Sequence, residues 1–439
     1  MEATKEPSGS GPAHLAGETS RTSLFVLFGT AALVRLVAVF SIPWQPTFDD
    51  AWYFRTAREI AEGRGYLDDL QRVTAYFPVG YPATLAAFSL VTGPSLLAAQ
   101  LLNVVFALGT LLCIYLTVRT LGGDDKLAAT ATALFGFLPN QVVSCCVTMS
   151  EITFTFAITL GTLLALQPRA LRQPAWWLLV GAVFGWATLI RSQALLLPLM
   201  FMPIAAYYRL GWNGFGRRVT IGLGLVSLGL GLVVGPWTYR NYRELNAFVL
   251  VSTNGGENLF IGNNPVANGR YQAPAEIFPQ GKAVLDLPEL ERDRLGRELA
   301  REYIESHPLA TLARAPKKLW YMYRSDLGVT NWILGANGLY RSLLYYPIQS
   351  VTEIAYLVVL GSGMLWLLLA YRRTKMDVDA KLIHAVTLAS VLYFSAITLV
   401  FFGDARFHQP LLPGLAICAA YLFTSLRWPP TRRSTATLP

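Results

Sequence analysis

The feature that most limits what this chain can become is a series of long apolar runs with charges confined to the links between them. A membrane helix takes about 20 largely apolar residues. Ten segments meet or approach that length: 23–42, 95–117, 127–143, 151–167, 175–190, 194–208, 219–237, 346–370, 382–401 and 410–426. Several are short for a full span, and 83–92 could add a partial helix, so about ten spans are expected, within a range of about nine to eleven. Charged residues make up only 14% of the chain, against about 25% in a soluble domain. The expected fold class is therefore an all-α polytopic membrane protein. The two or three soluble domains that 439 residues would otherwise suggest are excluded.

The links set an orientation. With the N-terminus inside, the inner links and tails hold 16 cations, among them Arg119, Lys126, Arg217, Arg218, Arg372 and Arg373, and the short outer links hold two, Arg191 and Arg406. That bias places both termini in the cytoplasm. The net charge of +9 is thus a topology signal and calls for no nucleic acid. Residues 1–22 read as a disordered cytoplasmic tail, 23–426 as the membrane domain and 427–439 as a second tail. The run 23–42 lacks a following cleavage site and reads as a retained helix. Cys145 and Cys146 are adjacent, and Cys113 and Cys418 lie inside apolar runs, so all four read as packing residues.

Two outer loops remain. The first, 43–94, carries a short amphipathic helix from about Asp50 to Ile60, the Pro78-Val79-Gly80-Tyr81-Pro82 turn and an apolar segment that dips back. The second, 238–345, shows two strand-like runs into Gly turns near 249–256 and 259–265. Amphipathic helices follow over 288–305 and 309–324, which suggests a small α-rich outer domain with juxtamembrane helices.

This topology brings Asp49, Asp50, Glu151, Arg191, Gln193, Arg406 and His408 to the outer face from distant parts of the chain. Each has a plain structural reading as well. One aspartate serves a helix start; Ser150 and Glu151 cap and charge the next helix; Arg191 anchors to headgroups; His408 packs. Arg35, inside the first membrane helix, pairs within the bundle or reaches outward. Read together, the residues suit one reaction. Arginines bind phosphate through a planar fork and stabilise charge on a leaving phosphate. A carboxylate takes the proton from an attacking hydroxyl. A sugar on a polyprenyl phosphate would need both, and no nucleotide-binding glycine loop occurs.

The ordered motifs resemble those of the C-type superfamily of membrane glycosyltransferases, in particular relatives of the dolichyl-phosphate-mannose–protein mannosyltransferases and the lipid A aminoarabinose transferase. The resemblance rests on Asp49-Asp50-Ala51-Trp52-Tyr53 with Gly63-Arg64-Gly65-Tyr66, then Phe77 to Pro82, Ser150-Glu151 and Arg191-Ser192-Gln193. It continues through Pro236 to Tyr242, Ser252 to Gly256, Gly262 to Pro265, and Arg406-Phe407-His408. It implies an inverting transfer from a polyprenyl-phosphate sugar to a glycan, lipid or protein acceptor. Asp49, Asp50 and Glu151 would be catalytic, and Tyr53, Tyr81, Arg191, Gln193, Asn254, Arg406 and His408 would bind substrate. The family's second acid is usually Glu where this chain has Asp50, which points to Asp49 as the base. No Asp-x-Asp motif occurs in an outer loop. No metal ligand is therefore assigned and no cofactor is certain, though a divalent cation stays open. Two other classes stay open: a transporter or flippase of a lipid-linked precursor, expected to show internal repeats, and a non-catalytic assembly protein.

Overall fold

The structure, a computed structural model, describes residues 13–211, 215–370 and 377–426. Among these residues it is all-helical, and its only ladder contacts are two isolated bridges, Leu67 with Val73 and Arg270 with Gly403. The first helix runs Ala13–Ser41, so residues 13–21 of the expected tail are helical. Residues 1–12 and 427–439 lie outside the described residues.

Among the described residues, six helices are long and apolar enough to cross a membrane: Thr22–Ser41, Leu96–Thr120, Ser192–Leu210, Phe215–Leu245, Tyr345–Ala370 and Val378–Val400. Pro139–Cys146 and Glu151–Leu166 pass the same test only as a pair, bent by 119°, which is the geometry of a broken span or a re-entrant loop. Trp176–Ile190 and Leu412–Leu426 are apolar but shorter. The expected single run 127–143 is two pieces. Asp125–Gly136 stops, Leu138 is extended at ψ 118°, and Pro139 opens a second short helix. Proline disfavours helical backbone at the residue before it, so the break follows from the sequence.

The expected strand-like runs of the large loop are also corrected. Gly255–Gly262 is a helix. Two of its glycines, Gly256 and Gly262, are sites of close approach: a Cβ on Gly256 would lie 1.9 Å from the Asp293 carbonyl oxygen. The loop is otherwise helical as anticipated, through Glu289–Ser306, Pro308–Ala313 and Ala315–Tyr323. In the first loop, Phe48–Ala61 and Gly80–Thr92 form the two expected helices.

Two cations, the buried Arg35 and the half-buried Arg209, reach carbonyls at helix ends, Gly136 and Leu166. Arg35, fully buried, donates to the oxygens of Ala31 and Gly136 at 2.9 Å each. Arg209 donates to Leu166 O at 3.1 Å, at the far end of the helix that Glu151 begins. Negative charge collects at such ends and partly offsets the cost of taking a cation out of water. The four cysteines are buried and free.

Candidate functional site

The site is built where the first membrane helix turns into Phe48–Ala61. Phe48 makes that turn in the left-handed region, at φ 52°. Asp49 and Asp50 follow in the first helical turn, about 100° apart around the axis. They go to different places.

Asp50 is fully buried and tied to the protein. Its carboxylate accepts from Trp44 Nε1 at 2.5 Å, from Thr148 N at 2.7 Å and from the Thr148 hydroxyl. Burial pushes its carboxyl up to about 6, against the pull of the Trp44 and Thr148 donors. These bonds fasten the helix start to the segment that leads into Glu151. Asp49, by contrast, is 44% exposed and lies 3.7 Å from Arg406.

Glu151 opens the helix Glu151–Leu166 and is buried. Ser150 does not cap that helix with its side chain; its hydroxyl accepts from Arg191 Nε at 3.0 Å. Arg191 Nη2 reaches Glu151 at 2.5 Å, and Arg406 Nε lies 4.0 Å from the same oxygen. Arg191 terminates Trp176–Ile190 in extended backbone, so its side chain leaves the helix axis toward Glu151.

Arg406 stands among three carboxylates: Asp404 at 3.3 Å, Asp49 at 3.7 Å and Glu151 at 4.0 Å. Their charge, Asp404 first, holds its guanidinium firmly protonated. Burial pushes the Asp404 carboxyl up, but Arg406 outweighs it and the net shift is down. Asp404 was not among the candidates read from sequence. It sits two residues before Arg406 and caps that turn, accepting from the Arg406 backbone N–H at 2.9 Å.

A cavity of about 1030 Å³ opens over this cluster. Asp49, Tyr53, Glu151, Arg191, Gln193, Asn254 and Arg406 line it. Leu195, Leu250 and Ile397 give it apolar wall, and Glu257, Tyr271 and Arg297 contribute from the large loop. Tyr53 is buried, which pushes its hydroxyl up to about 12. Three of the sequence candidates do not line the cavity: Asp50, Tyr81 and His408. Tyr81 is fully buried behind Tyr53, edge-on at 5.3 Å between ring centres. His408 is fully buried, with Nδ1 2.6 Å from Met322 O, Nε2 3.3 Å from Asp326 and its ring stacked on Tyr356. Among the described residues, no group of three acidic, histidine or cysteine side chains is placed to hold a metal ion.

Comparison with known proteins agrees with this architecture. Residues 77–237 match the model of the dolichyl-phosphate-mannose-protein mannosyltransferase family. That span holds Tyr81, Glu151, Arg191 and Gln193 but neither the aspartate pair nor Arg406. The structure of ArnT from Cupriavidus metallidurans bound to undecaprenyl phosphate superposes with a TM-score of 0.52 at 16% identity. The superposition covers 92% of this chain and 60% of that one, so this chain spans less than two thirds of its length. No curated protein sequence matches significantly. Among the described residues the chain is an all-helical, multi-pass membrane protein, and it shares the fold of that ArnT structure.

Proposed function

We propose that the protein transfers a sugar from a polyprenyl-phosphate donor to a hydroxyl of a glycan, lipid or protein acceptor at the outer face of the membrane, with inversion. The observation that carries this reading is the pairing of Asp49 with Arg406 in one large cavity that also holds Arg191 and Glu151. Its apolar wall suits the start of a prenyl chain and its arginines suit the phosphate.

In the reaction, the acceptor oxygen forms a bond to the anomeric carbon as Asp49 takes its proton. The bond from that carbon to the phosphate oxygen breaks, and the electron pair leaves with the polyprenyl phosphate. Arg406 and Arg191 stabilise the charge that develops there. Glu151 keeps Arg191 in place through their 2.5 Å contact. Without donor, Arg406 is shared by Asp49, Asp404 and Glu151.

The test is Asp49→Asn. General-base catalysis contributes about 100- to 10,000-fold, so transfer should fall by at least about 100-fold while the protein stays in the membrane. Mass spectrometry of cell-envelope glycans and lipid-linked sugars in a deletion strain identifies the product. A fully active Asp49→Asn enzyme overturns the assignment. Lipid-linked sugar crossing vesicles without transfer overturns the reaction.

A further inference from the structure

Lys318 is a long basic side chain almost wholly removed from water, at 1% exposure, and it makes no ion pair among the described residues. It lies on the helix Ala315–Tyr323 of the large loop. Its ammonium donates to Leu399 O at 2.9 Å and to Asn263 Oδ1 at 3.1 Å. Leu399 is in the last turn of Val378–Val400, the helix that leads into the Asp404–Arg406 segment. Asn263, also buried, donates to Val400 O at 2.8 Å. Two carbonyls that the helix end would leave without partners are thus taken by one cation and one amide. A cation at that end also meets the negative pole of the helix.

The backbone of Lys318 acts on the other side of the same turn. Gly403 packs so closely that a Cβ there would lie 2.0 Å from Lys318 O. Gly403 N donates to Gly269 O at 2.9 Å. Between the two points, a Cβ on Gly262 would lie 1.7 Å from Phe401 O. The turn 399–403 is therefore held at its start by the Lys318 ammonium, at its middle by Gly262 and at its end by the Lys318 backbone. Asp404 follows directly, and its carboxylate accepts from both the backbone N–H and Nε of Arg406.

We propose that Lys318 and Asn263 are positioning residues for Arg406: they fix the turn that sets this guanidinium against Asp49 and Glu151. The proposal rests on the reading of Arg406 as the phosphate contact. Neither residue lines the cavity, so both act through the loop. Burial, with Arg314 nearby, lowers the Lys318 ammonium to about 8. That strain in its protonation is the cost of using a buried cation where a neutral side chain could have packed.

The experiment uses the full-length purified protein and two readouts. The first is binding of polyprenyl phosphate to wild type, Lys318→Met, Arg406→Ala and the double variant. Lys318→Met should weaken binding about ten-fold, equivalent to about 1.4 kcal/mol, and add nothing once Arg406 is gone. Additive losses, or unchanged binding in Lys318→Met, overturn the proposal. The second is hydrogen exchange at the amides of 401–406. It should quicken in Lys318→Met and in Asn263→Leu, and Lys318→Arg should restore protection. Unchanged exchange there overturns the clamp, whatever the ligand. If wild type binds no polyprenyl phosphate, the functional reading fails and the exchange result alone decides whether the turn is clamped.

Discussion

Asp50→Ala separates the two aspartates most sharply, because its effect on stability should grow as the pH falls. Two buried donors, Trp44 Nε1 and Thr148 N, lose their acceptor. The Thr148 hydroxyl still reaches Asp50 O at 3.1 Å, so it keeps a partner. Each stranded donor costs about 1–3 kcal/mol, which gives about 2–6 kcal/mol before any offset. The offset is the cost of burying an ionised carboxylate. The Asp50 carboxyl is raised from 3.8 to about 6, and a shift of that size is worth about 3 kcal/mol. A raised folded-state value means that the native protein holds the proton more tightly. The stability this lends is fully present below the unfolded value and is lost as pH rises through about 6. At about pH 5 some 1.4 kcal/mol of it is present, and at about pH 8 almost none. The gap in thermal midpoint between wild type and Asp50→Ala, measured in one detergent, should therefore widen from about pH 8 to about pH 5. A gap that is constant, or that widens toward alkaline pH, refutes the burial argument. A large loss of transfer at unchanged stability would return Asp50 to the chemistry.

Other substitutions test the remaining parts. Arg191→Ala leaves the buried Glu151 with only Arg406, 4.0 Å away, and should lower the thermal midpoint, with a cost below the about 3–5 kcal/mol of a fully unpaired buried charge; adding Glu151→Gln should recover part of it. Arg406→Lys keeps the charge but loses the planar fork, so KM for the polyprenyl-phosphate donor should rise about ten-fold in steady-state transfer assays. His408→Gln should lower the thermal midpoint and leave donor KM unchanged, since the ring is walled off by Met322, Asp326 and Tyr356; a ten-fold rise, about 1.4 kcal/mol, would bring His408 back to the substrate. Gly262→Ala forces the backbone of Phe401 to move, because a Cβ would meet its carbonyl oxygen at 1.7 Å; transfer should fall while the membrane helices stay folded, as judged by helical circular dichroism.

Six of the ten expected runs are, among the described residues, helices long and apolar enough to cross a membrane, and these were legible because hydropathy acts over the length of a whole span. The amphipathic helices of both loops were legible for the same reason at shorter range: Leu295, Leu299 and Tyr303 recur at helical spacing. The errors arose where a contact distant in sequence decides the outcome. The runs at 249–256 and 259–265 read locally as strand and turn, but Gly256 is there for the close approach of the helix Glu289–Ser306. Nothing near them in sequence records that. Pro139 was a local signal that the run 127–143 had to break, and hydropathy alone passes over it.

The aspartate pair shows the same division within the site. Helical geometry requires two neighbouring carboxylates to face different directions, and the sequence cannot say which one meets solvent. Thr148 decides it. It lies 98 residues from Asp50, and it claims that carboxylate with its backbone N–H and its hydroxyl. Once Asp50 is tied down, the helix has no rotational freedom left, and Asp49 is carried to the cavity side, within 3.7 Å of Arg406. Asp50 thus orients Asp49, the residue of the pair that lines the cavity. That role explains a buried acid whose ionisation the protein resists, and it makes the hydrogen bonds of Asp50, more than its charge, the property that the site depends on.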